Sequence, residues 1–118
     1  MKVRLKRGWS KAYPELTVGN VYRVFGIEAD SFRIISDAGE PTLFNPRAFE
    51  FEDAKHPSDW VSQQGSEGEL YAYPPELLDP PGFFEAFFDY DMRVRAKFHA
   101  YVHRLCHEES ACLLYTSD

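Results

Sequence analysis

The sequence has few cysteines, which disulfide cross-links require, and no long apolar run, which membrane insertion requires. Its 118 residues include 2 cysteines, Cys106 and Cys112, which are too few for a disulfide framework. No apolar run approaches the roughly 20 residues that a transmembrane helix needs, and the opening segment MKVRLKRGW lacks the apolar core of a signal peptide. We therefore expect a cytoplasmic protein that has no membrane partner.

Motifs that identify common enzymes are also lacking. The sequence contains no G-x-G-x-x-G, no P-loop and no nucleophile elbow. Carboxylates are abundant, but acid–base catalysis needs a pair in different environments, and a sequence does not reveal such a pair. We therefore predict no catalytic residue, no cofactor and a function other than catalysis.

Charge is unevenly distributed along the chain, whose net charge is −6. Residues 1–29 carry a net charge of +4, residues 30–91 carry −11, and residues 92–118 carry +1. Two interpretations remain open: the basic first strand lies beside the acidic segments and is partly neutralised, or the acidic middle binds a basic partner. The acid excess disfavours nucleic-acid binding, since phosphate contacts need clustered Lys and Arg.

Alternating apolar residues between Leu16 and Phe51 predict short strands joined by tight turns. Gly26 predicts a bulge or bend in the longest of them, and residues 45–48 predict a single helical turn. The expected strands, with one more near the start of the chain, cover Val3 to Lys6, Val21 to Glu28, Ser31 to Ser36, Thr42 to Phe44 and Phe49 to Glu52.

This arrangement resembles an SH3-like barrel. The segment from Leu16 to Val24, LTVGNVYRV, is similar to the L-T-x-G-K-x-Y-x-V opening of small bacterial SH3-like domains, with Asn20 in place of the usual Lys. Asp37 to Gly39 resembles their distal hairpin turn, and Phe44 to Glu50 their closing turn and strand. The resemblance covers less than half of the chain and implies a five-stranded barrel over residues 1–53, without catalytic residues.

Residues 54–78 are predicted to form a loop-rich, aromatic connector that packs on the barrel. It contains PSDWV, from Pro57 to Val61, and YAYPPE, from Tyr71 to Glu76. Both segments are similar to ones that follow such a barrel in uncharacterised small bacterial proteins. Several proteins of this size and acidity are antitoxins, so the resemblance implies an immunity-type protein that neutralises a partner.

Residues 79–108 are predicted to form a helical appendage of two helices. Asp79-Pro80-Pro81 is a typical helix start, and Asp89 or Asp91 is expected to cap a second helix from about Met92 to His107. Four Phe share one face of the first helix, which predicts a core face; left exposed, such a patch would bind a partner. They are Phe83, Phe84, Phe87 and Phe88. The predicted fold class is α+β: a small SH3-like five-stranded β-barrel followed by this appendage.

The last residues, 109–118, are predicted to be a non-native or disordered tail. The segment from Cys112 to Asp118, CLLYTSD, resembles the in-frame translation of a transposon end used in sequencing libraries. We therefore expect the native chain to end near Ala111 or to continue differently.

One face of the second helix carries the only cluster with possible metal chemistry. His residues four apart can chelate zinc, and Cys adds a thiolate ligand. The residues are His99, His103, Cys106 and His107. Successive turns distribute them over more than one site, so a solvated polar face is the preferred interpretation. A small metal-binding protein or enzyme that uses this face is the alternative function.

The favoured function is non-enzymatic binding of another protein, with an immunity or antitoxin role as its concrete form. An acidic, aromatic-rich surface would bind a basic partner, with rings as anchors and acids as steering charges. The predicted partner-binding residues are Trp9, Tyr13, Tyr22, Asp59, Trp60, Tyr71 and Tyr73. A weaker alternative is single-stranded nucleic-acid binding by the basic first strand and nearby aromatics, through Lys2, Arg4, Lys6 and Arg7 with Trp9. The sequence leaves the partner's identity, the free face of the barrel and the oligomeric state open.

Overall fold

The computed structural model describes residues 1–108, which belong to two compact units: unit 1 covers Met1–Tyr73, and unit 2 begins at Pro74. The predicted tail at 109–118 lies outside the described residues. Unit 1 is a sheet of seven antiparallel strands. They are β1 (Lys2–Leu5), β2 (Val21–Glu28), β3 (Ser31–Ile35), β4 (Pro41–Phe44), β5 (Phe49–Asp53), β6 (Val61–Gln64) and β7 (Leu70–Tyr73).

The strand order explains why the predicted fold was only partly right. The α+β class is confirmed, but the closed five-stranded SH3-like barrel is wrong, because the sheet is open and has seven strands in the order β4-β3-β2-β1-β5, with β7 beside β2 and β6. Within β2, only Val21, Tyr22 and Arg23 pair with β1. The remaining length of that edge of β2 is therefore free for β7, whose Ala72 pairs with Ile27.

The five strands predicted from alternation are all present, within one or two residues of their expected bounds. The single helical turn is also confirmed as a 3-10 helix at Pro46–Ala48, where the Asn45 side chain accepts a hydrogen bond from the Arg47 N–H. Strands β6 and β7 were missed because the polar run between them is typical of a loop. That run is the turn of a hairpin, closed by the Gly65 N–H donating to the Glu69 carbonyl at 2.8 Å.

Gly26 lies at a bulge in β2, as predicted. The register between β2 and β3 shifts between Val24 and Gly26. The Tyr73 ring of β7 packs directly on the Gly26 backbone, since a Cβ added there would lie 2.1 Å from two atoms of the ring. Glycine is therefore required here for space, and it lets β7 approach β2 closely.

The basic first strand lies beside acidic residues. Strand β1 pairs with β5, and the Arg4 guanidinium forms a 2.7 Å ion pair with the Glu52 carboxylate. For Arg4 this pairing agrees with the interpretation in which neighbouring segments of opposite charge partly neutralise each other. Arg4 is thereby engaged within unit 1.

Residues 74–108, the described part of unit 2, contain a 3-10 helix (Pro75–Leu77) and two α-helices, α1 (Phe83–Phe88) and α2 (Met92–Glu108). Helix α1 has Gly82 as its N-cap, three residues beyond the predicted cap at Asp79, whereas α2 begins as predicted. The Asp91 carboxylate accepts hydrogen bonds from the N–H groups of Arg93 and Val94 and so caps α2. No helix in the described range 1–108 is long and apolar enough to cross a membrane.

Three of the four Phe of α1 are buried and form a ring cluster with one residue of α2. Phe98 of α2 lies 5.4 to 6.5 Å, between ring centroids, from the rings of Phe83, Phe84 and Phe87. Phe88 is 43% exposed. The predicted core face is therefore confirmed for three of its rings and wrong for Phe88.

Candidate partner-binding surfaces

Trp9, the last residue of a 3-10 helix at Arg7–Trp9, lies beside Tyr13 in the long connection between β1 and β2. Their rings stack with centroids 5.7 Å apart and planes 23° from parallel. The Tyr13 hydroxyl accepts a hydrogen bond from the Asn45 N–H at 3.0 Å, which ties this loop to the 3-10 helix at Pro46–Ala48. The charged neighbours of this pair within residues 6–13 and the 3-10 helix at Pro46–Ala48 are all basic and exposed, and the acidic Glu15 follows outside this segment, so Trp9 and Tyr13 lie on a mainly basic surface. These basic neighbours are Lys6, Arg7, Lys11 and Arg47.

Tyr22 lies in the interior of unit 1. Its hydroxyl accepts a hydrogen bond from the Thr17 N–H and donates one to the Asp37 carboxylate, both at 2.7 Å. Burial, and then the hydrogen bond to Asp37, raise the pKa of Tyr22. The ring thus fixes the long first loop to the turn after β3, and it supplies no contact area to a partner.

Tyr73 is also internal and belongs to a buried polar network. Its hydroxyl donates to the Glu28 carboxylate at 2.8 Å and accepts from the Arg33 Nε–H at 3.0 Å. The buried Arg33 guanidinium forms two further bonds, at 2.7 Å to Glu28 and at 2.9 Å to the Pro41 carbonyl. Each polar group of the network has a partner, so it specifies how β2, β3, β4 and β7 fit together.

Alkaline pH should destabilise the folded protein through these two tyrosines. Burial raises the pKa of Tyr73 far above its ordinary value of 10.0, and burial also raises that of Tyr22. Above pH 10 the unfolded chain loses these protons while the folded chain keeps them, so the stabilising effect is complete below pH 10 and declines as the pH rises further. We expect the unfolding midpoint in urea to fall above pH 10, and Tyr73→Phe to flatten that fall. An equally steep fall in the Tyr73→Phe variant would contradict this assignment.

Asp59, Trp60 and Tyr71 lie at the β6–β7 hairpin and the segment that leads into it. Asp59 is exposed, Trp60 and Tyr71 are partly exposed, and the Trp60 ring lies 5.5 Å from the ring of His56. Gln63 pairs with Tyr71 across the hairpin. The seven predicted partner-binding residues are therefore divided among the long loop, the interior and this hairpin.

The histidine face of α2 does not assemble a metal site in the described part of the chain. His99 and His103 are exposed, and the His99 ring contacts the rings of Phe87 and Phe98. Cys106 is partly exposed, and the side chain of His107 lies outside the described residues. Among described side chains, no three His, Cys, Asp or Glu residues converge as metal ligands.

A further surface lies at the junction of α1 and α2 and was missed by reasoning from sequence. We call residues Phe88 to Met92 the aromatic tip. Tyr90 is 72% exposed and Met92 is 73% exposed, and together with Phe88 they alternate with Asp89 and Asp91. The alternation of apolar and acidic residues in F-D-Y-D-M was the sequence signal for this surface. Tyr90 lies between the two helices, so helical periodicity could not be used to predict whether its ring is exposed.

The backbone of the aromatic tip is fixed by several hydrogen bonds. The N–H groups of Tyr90 and Asp91 donate to the carbonyls of Phe87 at 3.1 Å and Ala86 at 3.0 Å. Tyr90 has a φ of +62°, a left-handed conformation that a bulky residue rarely adopts. The Arg95 guanidinium donates to the Phe87 carbonyl at 2.8 Å and lies 4.8 Å from the centroid of the Tyr90 ring. These contacts hold the backbone of the tip in one conformation, while the side chains of Tyr90 and Met92 remain exposed.

Comparison of this chain with protein-family models, with curated protein sequences and with solved structures found no match.

Proposed function

We propose that this protein is a non-enzymatic binding module for a basic protein partner, with an immunity or antitoxin role as its concrete form. The observation that carries the proposal is the aromatic tip of unit 2. It presents the Tyr90 ring, which lies between two Asp residues in sequence, and the Met92 side chain, both more than 70% exposed. Exposed large apolar side chains in such a cluster are typical of protein-binding sites.

The chemistry of the tip suits a basic partner. Tyr and Phe rings bury a large area, and Tyr is enriched at the residues that contribute most to binding. Asp89 and Asp91 would attract Lys and Arg of the partner and disfavour acidic proteins. Because hydrogen bonds already hold the tip in a left-handed turn, binding would order few additional groups. Strain retained at an exposed position is itself a pointer to function.

The β6–β7 hairpin of unit 1 offers a second acidic surface for the same class of partner. Asp59 and Glu67 are exposed there, and Val61 is the exposed apolar side chain at the start of β6. Trp60 is the predicted anchor of this surface, and Asp59 its steering charge. Tyr22 and Tyr73 are left out of the proposed surface, since both are buried.

Co-purification with tagged protein from the source cells tests this function. We expect the wild-type protein to retain a basic partner at about 50 mM salt and to lose most of it at about 500 mM, since exposed charge pairs are screened. The double variant Tyr90→Ser, Met92→Ser should retain at least about tenfold less of that partner. Asp59→Lys and Trp60→Ala should each also weaken retention, and unchanged retention in both would remove the hairpin from the proposed surface.

The matched control is Leu78→Ser, which removes another exposed apolar side chain of unit 2, 42% exposed, outside the tip. This variant should retain the partner at the wild-type level. Equal retention by the wild type and the tip variant would show that the tip is not the binding surface. Recovery of no protein by the wild type would count against the proposed function as a whole.

A further inference from the structure

Unit 1 carries a second charged surface whose sign is opposite to that of the proposed partner-binding surfaces. It consists of the loop from Lys6 to Tyr13 and the 3-10 helix at Pro46–Ala48. The Lys6 N–H donates to the Ala48 carbonyl at 2.7 Å, and the Asn45 N–H donates to the Tyr13 hydroxyl at 3.0 Å. Two segments distant in sequence are thus joined into one surface, which we call the basic stack.

The bases of the basic stack are not neutralised within unit 1. Lys6, Arg7, Lys11 and Arg47 are all exposed. The ion pairs described for unit 1 are Arg4 with Glu52 and Arg33 with Glu28, and neither involves these four side chains. In a chain of net charge −6, four exposed and unpaired cations on two adjoining segments indicate an anionic ligand.

Three aromatic rings on this surface contact one another in succession, from the buried Phe44 through Tyr13 to Trp9. The buried Phe44 ring meets Tyr13 in a T-shaped contact at 4.9 Å, and Tyr13 in turn stacks on Trp9. The Tyr13 N–H also donates to the Trp9 carbonyl at 3.0 Å. The contact with Tyr13 therefore fixes the partly exposed indole of Trp9, which is flanked in sequence by the basic residues Arg7 and Lys11.

We propose that the basic stack binds single-stranded nucleic acid. A base would stack on Trp9 while Lys6, Arg7, Lys11 and Arg47 contact the phosphates on either side, the combination that sequence-tolerant single-strand binding uses. An acidic peptide would satisfy the four cations, but it offers the fixed indole a flat ring only where it carries an aromatic residue, whereas every nucleotide carries one. The acid excess of residues 30–91 opposes this binding within the Debye length, which is about 10 Å at 0.1 M salt and longer at lower salt, so the four bases have to outweigh the acids nearby.

Anisotropy of a fluorescein-labelled ten-residue oligothymidylate measures this binding with the full chain. We expect binding at about 20 mM salt that weakens steeply as salt is raised. Trp9→Leu should weaken it by at least about fivefold, the equivalent of losing one stacked base. Arg47→Gln should lower the slope of log affinity against log salt by about 0.7, the value for one phosphate contact on a single strand.

Matched controls are Trp60→Leu, which removes the other Trp of the chain, and Lys55→Gln, which removes a base outside the basic stack. Both variants should bind as the wild type does. Absence of binding at about 20 mM salt overturns the proposal. Equal affinity for a polyaspartate peptide of the same charge would also overturn it. An unchanged affinity in a folded Trp9→Leu variant would do the same, because either result leaves only non-specific electrostatic attraction. Since the basic stack and the aromatic tip share no residue, failure here leaves the proposed protein-binding function standing.

Discussion

Phe98→Ala is expected to lower the free energy of unfolding of unit 2 by about 3 to 5 kcal/mol, the cost usual for removing a buried Phe. Phe98 is fully buried and touches the rings of Phe83, Phe84 and Phe87. Alanine leaves a cavity among rings that other contacts hold in place, and it also removes the favourable edge-to-face contacts. Chemical denaturation followed by far-ultraviolet circular dichroism measures the loss, because the helices of the described chain lie mainly in this unit.

Phe88→Ala is the matched control, since it removes the same side chain from a position that is 43% exposed. We expect this variant to lose only about 1 kcal/mol, because Phe88 makes one T-shaped contact, with Phe87 at 5.2 Å, and its side chain is already partly in solvent. Similar losses for the two variants would show that the ring cluster does not stabilise unit 2 in the way described.

Gly26→Ala is expected to destabilise unit 1 by about 1 to 3 kcal/mol, the cost of overpacking a closely packed site. The added Cβ would lie 2.1 Å from two ring atoms of Tyr73. The ring would have to move, and its hydroxyl would then lose alignment with Glu28 and Arg33. Denaturation followed by tyrosine and tryptophan fluorescence measures the change.

Two controls separate steric crowding from the intrinsic effect of replacing glycine. Gly8→Ala adds a Cβ that meets no atom within 4 Å, so its stability should match the wild type or slightly exceed it. In a Tyr73→Ala background the further change Gly26→Ala should cost little, because the clashing ring is gone. Additive losses in that double variant would contradict the contact between Gly26 and the ring.

Much of unit 1 could be predicted from local patterns. Alternation of apolar and polar residues identified five strands, because each has one face toward the core. The glycine at position 26 identified the bulge, since a residue without a side chain marks a bend or a close approach. The hairpin from Val61 to Tyr73 could not be found in this way, because all four residues of β6 are exposed and show no alternation.

The candidate surfaces depended more strongly on tertiary contacts. Helical spacing places Phe87 and Phe88 on one face, yet Phe98 of α2 touches the ring of Phe87 and leaves Phe88 exposed. Trp9 was expected on an acidic surface, but hydrogen bonds join its loop to a segment that carries Arg47. Both outcomes depend on which distant residues meet, and a local pattern holds no information on that.

The sequence by itself determined the α+β class, the positions of five strands and the second helix, and the separation of charge along the chain. These follow from side-chain periodicity and composition, which act over a few residues. Tertiary structure alone decided that the sheet is open, because β7 occupies the part of the β2 edge that the short β1 leaves free. It also decided which aromatic rings are exposed, since burial is set by packing between segments far apart in the chain.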